Sequence, residues 1–381
     1  MLFRSTVALT RGKAIRVKRV HLEEDAGKLI HEGAGGQIGG GTAALADYNR
    51  SSMPLLEIVS EPDFRTPAEA SEYLKAMQTL VRYLGVSDGN MEEGSLRCDA
   101  NISVRRRGAT TLGAKVEIKN MNSFRAVERA LAFEAARQAD ALSRGESLVQ
   151  ETRLFDDATG ETRAMRGKEG AHDYRYFPEP DLLPFTVSPA LLAALKARIP
   201  ELPAARQARY MKEWGLPEYD AGVLTADRPV AEYFEAVVAA GAAAKTASNW
   251  VMTELLGALN ARNQPLTDAR IAPAQLAALI GLIGDGTISG KIAKTVFAAM
   301  LDSGKDAAVI VREQGLVQIT DEGGLAAAIT EVLGRNAPSV ADYKSGKQAA
   351  IGFLVGQVMK ATGGKANPQM VNTLLRKALA A

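Results

Sequence analysis

Hydrophobic and polar positions divide the chain into three textures. Up to about residue 190, short stretches alternate apolar and polar residues between glycine-containing turns, the period of strands with one buried face. From about 200 to 312 the apolar positions, many of them alanine, recur with the period of helices. The remainder, about 313 to 381, is also helical in period. The run Ile199-Pro200-Glu201-Leu202-Pro203 suits a boundary, because proline disfavours helix at the residue before it. We expect domains at 1–199, 200–312 and 313–381.

Two helices are marked within the first region. Thr66-Pro67-Ala68-Glu69 reads as an N-cap, a proline in the first turn and a capping-box glutamate. Ala70, Tyr73, Leu74, Met77, Leu80, Val81 and Leu84 follow on one face, and Gly85 ends the helix. A second helix begins after Asn122-Ser123 and runs to near Gly145. Helices set among hairpin-linked strands predict an α+β fold with antiparallel pairing.

Leu96, Cys98, Ala100, Ile102 and Val104 alternate with Arg97, Asp99, Asn101, Ser103 and Arg105. Beyond a turn at Gly108 to Gly113, Val116 and Ile118 alternate with Lys115, Glu117 and Lys119. If the two strands pair, matching their apolar faces brings Asp99, Asn101, Glu117 and Lys119 onto one surface. Carboxylates, an amide and a lysine on a rigid sheet suit a Mg²⁺-nucleotide, since hard oxygens hold the metal and cations offset phosphate charge. The same pattern also suits a solvated face with cross-strand ion pairs.

Other polar segments remain open between two readings. His21-Leu22-Glu23-Glu24-Asp25-Ala26-Gly27-Lys28 is a metal-carboxylate candidate or a charged loop. The glycine-rich run Gly33 to Gly41 lacks a Gly-Lys-Ser/Thr ending and reads as a surface loop. Leu154 to Met165 reads as a hairpin, followed by Arg166, Lys168 and Glu169. Asp173 to Asp181, dense in aromatics and prolines, suits stacking on an RNA end or pinning a loop to a core. Lys344, Lys347, Lys360, Lys365, Arg376 and Lys377 make the last segment locally basic, which suits phosphate-backbone contacts.

Composition limits the rest. Lys+Arg at 46 against Asp+Glu at 44 names no partner, so polyanion binding needs local charge. One cysteine, Cys98, excludes an internal disulfide and any multi-thiolate metal site within the chain. No apolar run has the length of a membrane span, and a cytoplasmic location is expected.

The runs His21 to Lys28, Asp47-Tyr48-Asn49-Arg50, Pro54 to Asp63, Met91 to Asn101, Lys119 to Phe124, Tyr174 to Asp181 and Gly352 to Gln357 occur in order along nearly the whole chain. In these runs the sequence resembles the B subunits of the bacterial aspartyl/glutamyl-tRNA amidotransferases. The resemblance implies a catalytic cradle similar to glutamine synthetase, an all-α helical domain and a small α-helical tail. It implies an ATP-dependent carbon–nitrogen ligase of translation that phosphorylates the side-chain carboxylate of Glu or Asp on mischarged tRNA. It further implies a glutaminase (A) subunit that supplies ammonia to displace phosphate, and a small C subunit that completes a heterotrimer.

Carried over by position, Glu24, Glu117 and Asp99 are the expected catalytic and Mg²⁺-binding carboxylates. Arg97, Asn101 and Lys119 are expected to bind nucleotide or substrate, and Lys344, Lys347, Lys360 and Lys365 to meet the tRNA. Two departures stand out. The family begins with a segment containing a Glu-x-His metal motif that nothing before Val20 supplies, so a catalytically incomplete tRNA-binding scaffold is the alternative reading. Ser52 stands where the family has glycine, and a left-handed backbone there would strain a serine.

Overall fold

The structure, a computed structural model, describes residues 5–32, 43–165, 186–317 and 322–380. The runs at Gly33 to Gly41, Arg166 to Glu169 and Asp173 to Asp181 lie outside the described residues. The chain divides into two compact units, Met1–Ile199 and Pro200–Ala381. The architecture is mixed α+β, with the strands in the first unit.

In the first unit β1 (Thr6–Ala8), β2 (Ala14–Glu24) and β5 (Pro54–Ser60) form one antiparallel sheet in the order β1-β2-β5, and β3 (Lys28–Glu32) pairs antiparallel with β4 (Ala43–Asp47). A four-stranded sheet has the order β6 (Ala100–Ile102), β7 (Val116–Lys119), β8 (Glu151–Asp156), β9 (Glu161–Ala164). The β8–β9 hairpin is the one expected between Leu154 and Met165. One ladder departs from the antiparallel expectation: β7 and β8 are parallel. A parallel return needs a crossover, and the 20-residue helix α2 (Phe124–Ser143) supplies it. The strand expected from Leu96 to Arg105 is regular over Ala100–Ile102 alone, although Leu96 and Cys98 still pack inward.

Helix α1 (Pro67–Leu84) carries the expected cap. The Thr66 hydroxyl accepts from the Glu69 N–H at 3.3 Å, and the Glu69 carboxylate accepts from the Thr66 N–H at 3.4 Å. Gly85, in the left-handed conformation, closes it. Tyr73 and Met77 pack with Ile15 of β2 and with Leu9, just past β1, whereas Ala70 and Leu74 pack toward the second sheet. The apolar face is rotated slightly from expectation, for Tyr83 is fully buried and Leu84 is exposed. Ser123 caps α2 by accepting from the Ala126 N–H at 3.0 Å, and Ala126, Val127, Ala130 and Leu131 pack on Ile118 and Phe155 beneath the four-stranded sheet.

A charged residue is sealed into that same layer. The Glu134 side chain has no exposed surface. Its carboxylate accepts from Arg137 (2.6 and 2.9 Å), Gln138 (2.9 Å) and the Thr162 hydroxyl (2.8 Å). Arg153 of β8 donates to the Thr162 hydroxyl at 2.9 Å and to Glu151 at 2.8 Å. Gln138 in turn accepts from the Val104 N–H at 3.1 Å. Burial works against the Glu134 charge, but the hydrogen bonds from Arg137, Gln138 and Thr162 outweigh it and hold the carboxyl below its ordinary value. This network ties α2 to β8, β9 and the chain leaving β6.

In the second unit, helices Pro203–Trp214, Glu218–Leu224, Arg228–Ala239, Pro273–Gly284, Gly290–Ser303 and Ala307–Glu313 enclose a core around Tyr210, Phe234, Leu276 and Val296. A separate cluster around Leu325, Leu354, Val358, Val371 and Leu375 is built from Glu322–Arg335, Ala350–Ala361 and Pro368–Ala380. No helix among the described residues is long and apolar enough to cross a membrane.

Removing the Glu134 carboxylate leaves Arg137 and Arg153 facing a hole in the layer. Glu134→Ala is expected to lower the unfolding free energy by about 3 kcal/mol or more in urea titration, the cost typical of breaking one side of a buried charged network. A loss below about 1 kcal/mol would contradict this role for the network.

Candidate functional site

The register of β6 and β7 is the one the alternation predicts: Ala100 faces Ile118, Asn101 faces Glu117 and Ile102 faces Val116. Val116 and Ile118 are fully buried, Ile118 against α2, so Asn101 and Glu117 turn to the opposite, open face. Lys119 reaches across that face, its Nζ 3.1 Å from Asp99 Oδ2 and 3.7 Å from Glu117 Oε1. Partial burial opposes the Lys119 charge, but the hydrogen bond and attraction of Asp99 dominate, joined by Glu117, and its ammonium is held above the ordinary lysine value. It remains a cation at physiological pH.

The parallel ladder adds a residue that the sequence did not single out. Thr152 lies opposite Glu117, and its hydroxyl donates to Glu117 Oε2 at 3.0 Å. Glu117 is therefore held from two sides, by Thr152 on Oε2 and by Lys119 near Oε1. Farther along the face, Arg163 of β9 pairs with Asp156 of β8 at 3.2 Å. Cys98 sits on the inner side, where burial pushes its thiol up to about 12 and so removes it as a nucleophile at neutral pH.

Glu24 stands elsewhere, at the end of β2 opposite Pro54, and is exposed. Among the described residues no group of three or more His, Cys, Asp or Glu side chains is poised to hold a metal ion, so Glu24, Asp99 and Glu117 are not gathered into one cluster. The link between the two sheets is the next residue. Asp25 Oδ2 lies 2.9 Å from Arg50 Nη2 and 3.3 Å from Arg97 Nη2, and Arg97 is two residues before Asp99. Arg97 is thus an ion-pair partner as well as a candidate ligand. The turn beside it is backbone-locked, for Asp25 N–H donates to Met53 O at 2.8 Å and Ser52 N–H donates to Asp25 O at 2.9 Å. Ser52 has φ 65°, the left-handed conformation that glycine tolerates better.

The donor chemistry fits Mg²⁺. That ion is usually held by one or two carboxylates while phosphates and waters complete its shell, so a three-carboxylate cage is not required. Asp99 and Glu117 supply two carboxylates on one face, with the Asn101 amide beside them.

In the second unit Lys344, Lys347 and Lys360 are exposed and Lys365 is half-buried. Lys347 pairs with Asp342 at 2.8 Å, which offsets part of its charge. Arg376 and Lys377 are exposed on the last helix, Pro368–Ala380.

Fold and site together describe an α+β domain with a polar, cation-bearing sheet face, followed by helical segments. Residues 5–193 match the family described as the GatB/GatE catalytic domain, and residues 232–379 match the one described as the GatB domain. Relatives named as the B subunit of aspartyl/glutamyl-tRNA(Asn/Gln) amidotransferase include one from Carboxydothermus hydrogenoformans, 52% identical over 97% of this chain and 76% of its own length. Others, from Moorella thermoacetica and Geotalea daltonii, are each 54% identical over 96% of this chain and 76% of theirs. The chain belongs to the family of aspartyl/glutamyl-tRNA amidotransferase B subunits.

Because a left-handed serine costs roughly 1–2 kcal/mol that glycine avoids, Ser52→Gly is expected to stabilise the protein by about 1 kcal/mol. Thermal unfolding of the two forms checks it, and an unchanged or lowered midpoint would contradict the strain at this turn.

Proposed function

We propose that this chain uses ATP to activate the side-chain carboxylate of Glu-tRNA(Gln) or Asp-tRNA(Asn), and that the activated group is amidated by ammonia from a glutaminase (A) subunit. The observation that carries the proposal is the open face of β6–β8, where Asp99, Asn101, Glu117 and Lys119 converge. The names of its relatives supply the substrate class. A carboxylate is a poor acceptor for ammonia. Attack of its oxygen on the γ-phosphorus of ATP expels ADP and leaves an acyl phosphate; attack of ammonia on the carbonyl then expels phosphate and forms the amide.

Phosphoryl transfer demands positioning and charge compensation more than covalent chemistry from the protein. Lys119 is a fixed cation for phosphate oxygens, and Thr152 holds the Glu117 carboxylate in one orientation. Asp99 and Glu117 are the proposed Mg²⁺ ligands; Glu24, which stands apart from them at the end of β2, is proposed as a third on the resemblance alone. Mg²⁺, when bound, would offset charge developing on the transferred group. Asn101 and Arg97 are proposed to contact nucleotide or substrate, and the sheet is read as a cradle similar to that of glutamine synthetase. The exposed lysines at 344, 347 and 360, with Lys365, are proposed to meet the tRNA body. A cytoplasmic heterotrimer with the A subunit and a small C subunit is the assembly this function requires.

The test is ATP hydrolysis dependent on Glu-tRNA or Asp-tRNA, with both partners of the heterotrimer present. Glu117→Gln is expected to lower it by about a hundredfold or more, as losing a fixed electrostatic group at the reacting centre does. Full activity in that variant would contradict the assignment. Bound tRNA with no ATP hydrolysis in either form would favour the scaffold reading.

A further inference from the structure

The contact that joins the two sheets carries more positive charge than a structural ion pair needs. The Asp25 carboxylate is largely enclosed, with 15% of its side chain exposed, and one of its oxygens, Oδ2, faces both Arg50 and Arg97. One negative charge thus stands against two positive ones. The guanidinium groups repel each other, and one arginine alone would have neutralised the aspartate. Both arginine side chains remain half-exposed, at 50% and 60%. A guanidinium has five N–H donors, and the ion pairs to Asp25 engage one nitrogen of each.

The backbone is shaped around this pair. Met53 N–H donates to Arg50 O at 3.2 Å, and the strained Ser52 binds Asp25 O, so Arg50 and Asp25 are held by the same turn. Gly94 has φ 80°, and a Cβ there would stand 3.3 Å from Arg50 Nη1. A side chain at 94 would therefore crowd the guanidinium, which lies close against the 91–97 turn. A strained serine in the turn that holds two exposed cations is the kind of feature that functional sites retain.

We infer that Arg50 and Arg97 form an oxyanion clamp, aligned by Asp25, at the edge of the Asp99–Glu117 face. Its ligand is a phosphate or carboxylate group of the reaction: the polyphosphate of the nucleotide or the side-chain carboxylate to be activated. Forked N–H donors match the paired oxygens of both. The inference deepens the function proposed above and rests on it for the source of the oxyanion, though not for oxyanion binding itself.

Titration of the chain with inorganic tripolyphosphate, comparing Arg50→Gln with the parent, tests the clamp directly. Steady-state amidation by the complex assembled with its glutaminase partner separates the two sources. If the clamp takes nucleotide phosphates, tripolyphosphate binding weakens and KM for ATP rises, each by about tenfold or more, the loss expected for a charge-assisted hydrogen bond. If it takes the carboxylate, tripolyphosphate binding is unchanged and KM for Glu-tRNA rises while KM for ATP does not. Unchanged binding and unchanged KM for both substrates overturn the inference. Arg50→Lys, which keeps the charge and gives up the fork, should lose a smaller part and serves if the glutamine variant does not fold. Glu117→Gln is measured alongside: full amidation in that variant, with tripolyphosphate binding still weakened by Arg50→Gln, would remove the sheet-face reading and keep the clamp.

Discussion

A carboxylate with no exposed surface must be neutralised by its neighbours or it will not stay ionised, and Glu134 meets that constraint by fixing several elements at once. Its partners come from its own helix and from β9, with Arg153 of β8 closing the group. Helix α2 can therefore lie under the four-stranded sheet in few ways other than the one seen. The helix is also the crossover that makes β7 and β8 parallel, and the parallel register sets Thr152 beside Glu117. The buried network and the orientation of a proposed catalytic carboxylate are consequences of the same packing.

The two faces of β6 and β7 depend on each other in the same way. Burying Val116 and Ile118, the latter on α2, obliges Asn101, Glu117 and Lys119 to face outward, because side chains alternate along a strand. Lys119 then relieves the repulsion between Asp99 and Glu117. The open face keeps net negative charge that a hard cation can share, next to a fixed ammonium and an arginine pair suited to phosphate. Hydrophobic burial thus builds the candidate site from its reverse side.

What the sequence made legible was local. Alternation around Asp99 and Glu117 predicted their shared face, and Thr66 with Glu69 predicted the cap of α1. Ser52 departs from the glycine of the family it resembles, and its left-handed backbone gives that departure a physical meaning. Contacts across long separations were not legible. Glu134 reads as another polar residue of a surface helix, because its partner Thr162 lies 28 positions away. Thr152 is 35 positions from Glu117, beyond any hairpin rule. Asp25 reads as one acid in a charged run until folding brings Arg97 to it from 72 positions away. Tyr83 rather than Leu84 filling the core is a smaller case, a rotation of the helix that periodicity alone does not fix.

The central claim is that the open face of β6–β8 receives a metal–nucleotide. The most direct measurement is a crystal structure of the protein with Mn²⁺ and a non-hydrolysable ATP analogue, the metal located by its anomalous signal. The account predicts a peak at direct coordination distance, about 2.0–2.2 Å, from a carboxylate oxygen of Glu117 or Asp99, with the phosphates toward Lys119. A metal and nucleotide bound away from that face, with both carboxylates still occupied by Lys119, would contradict it.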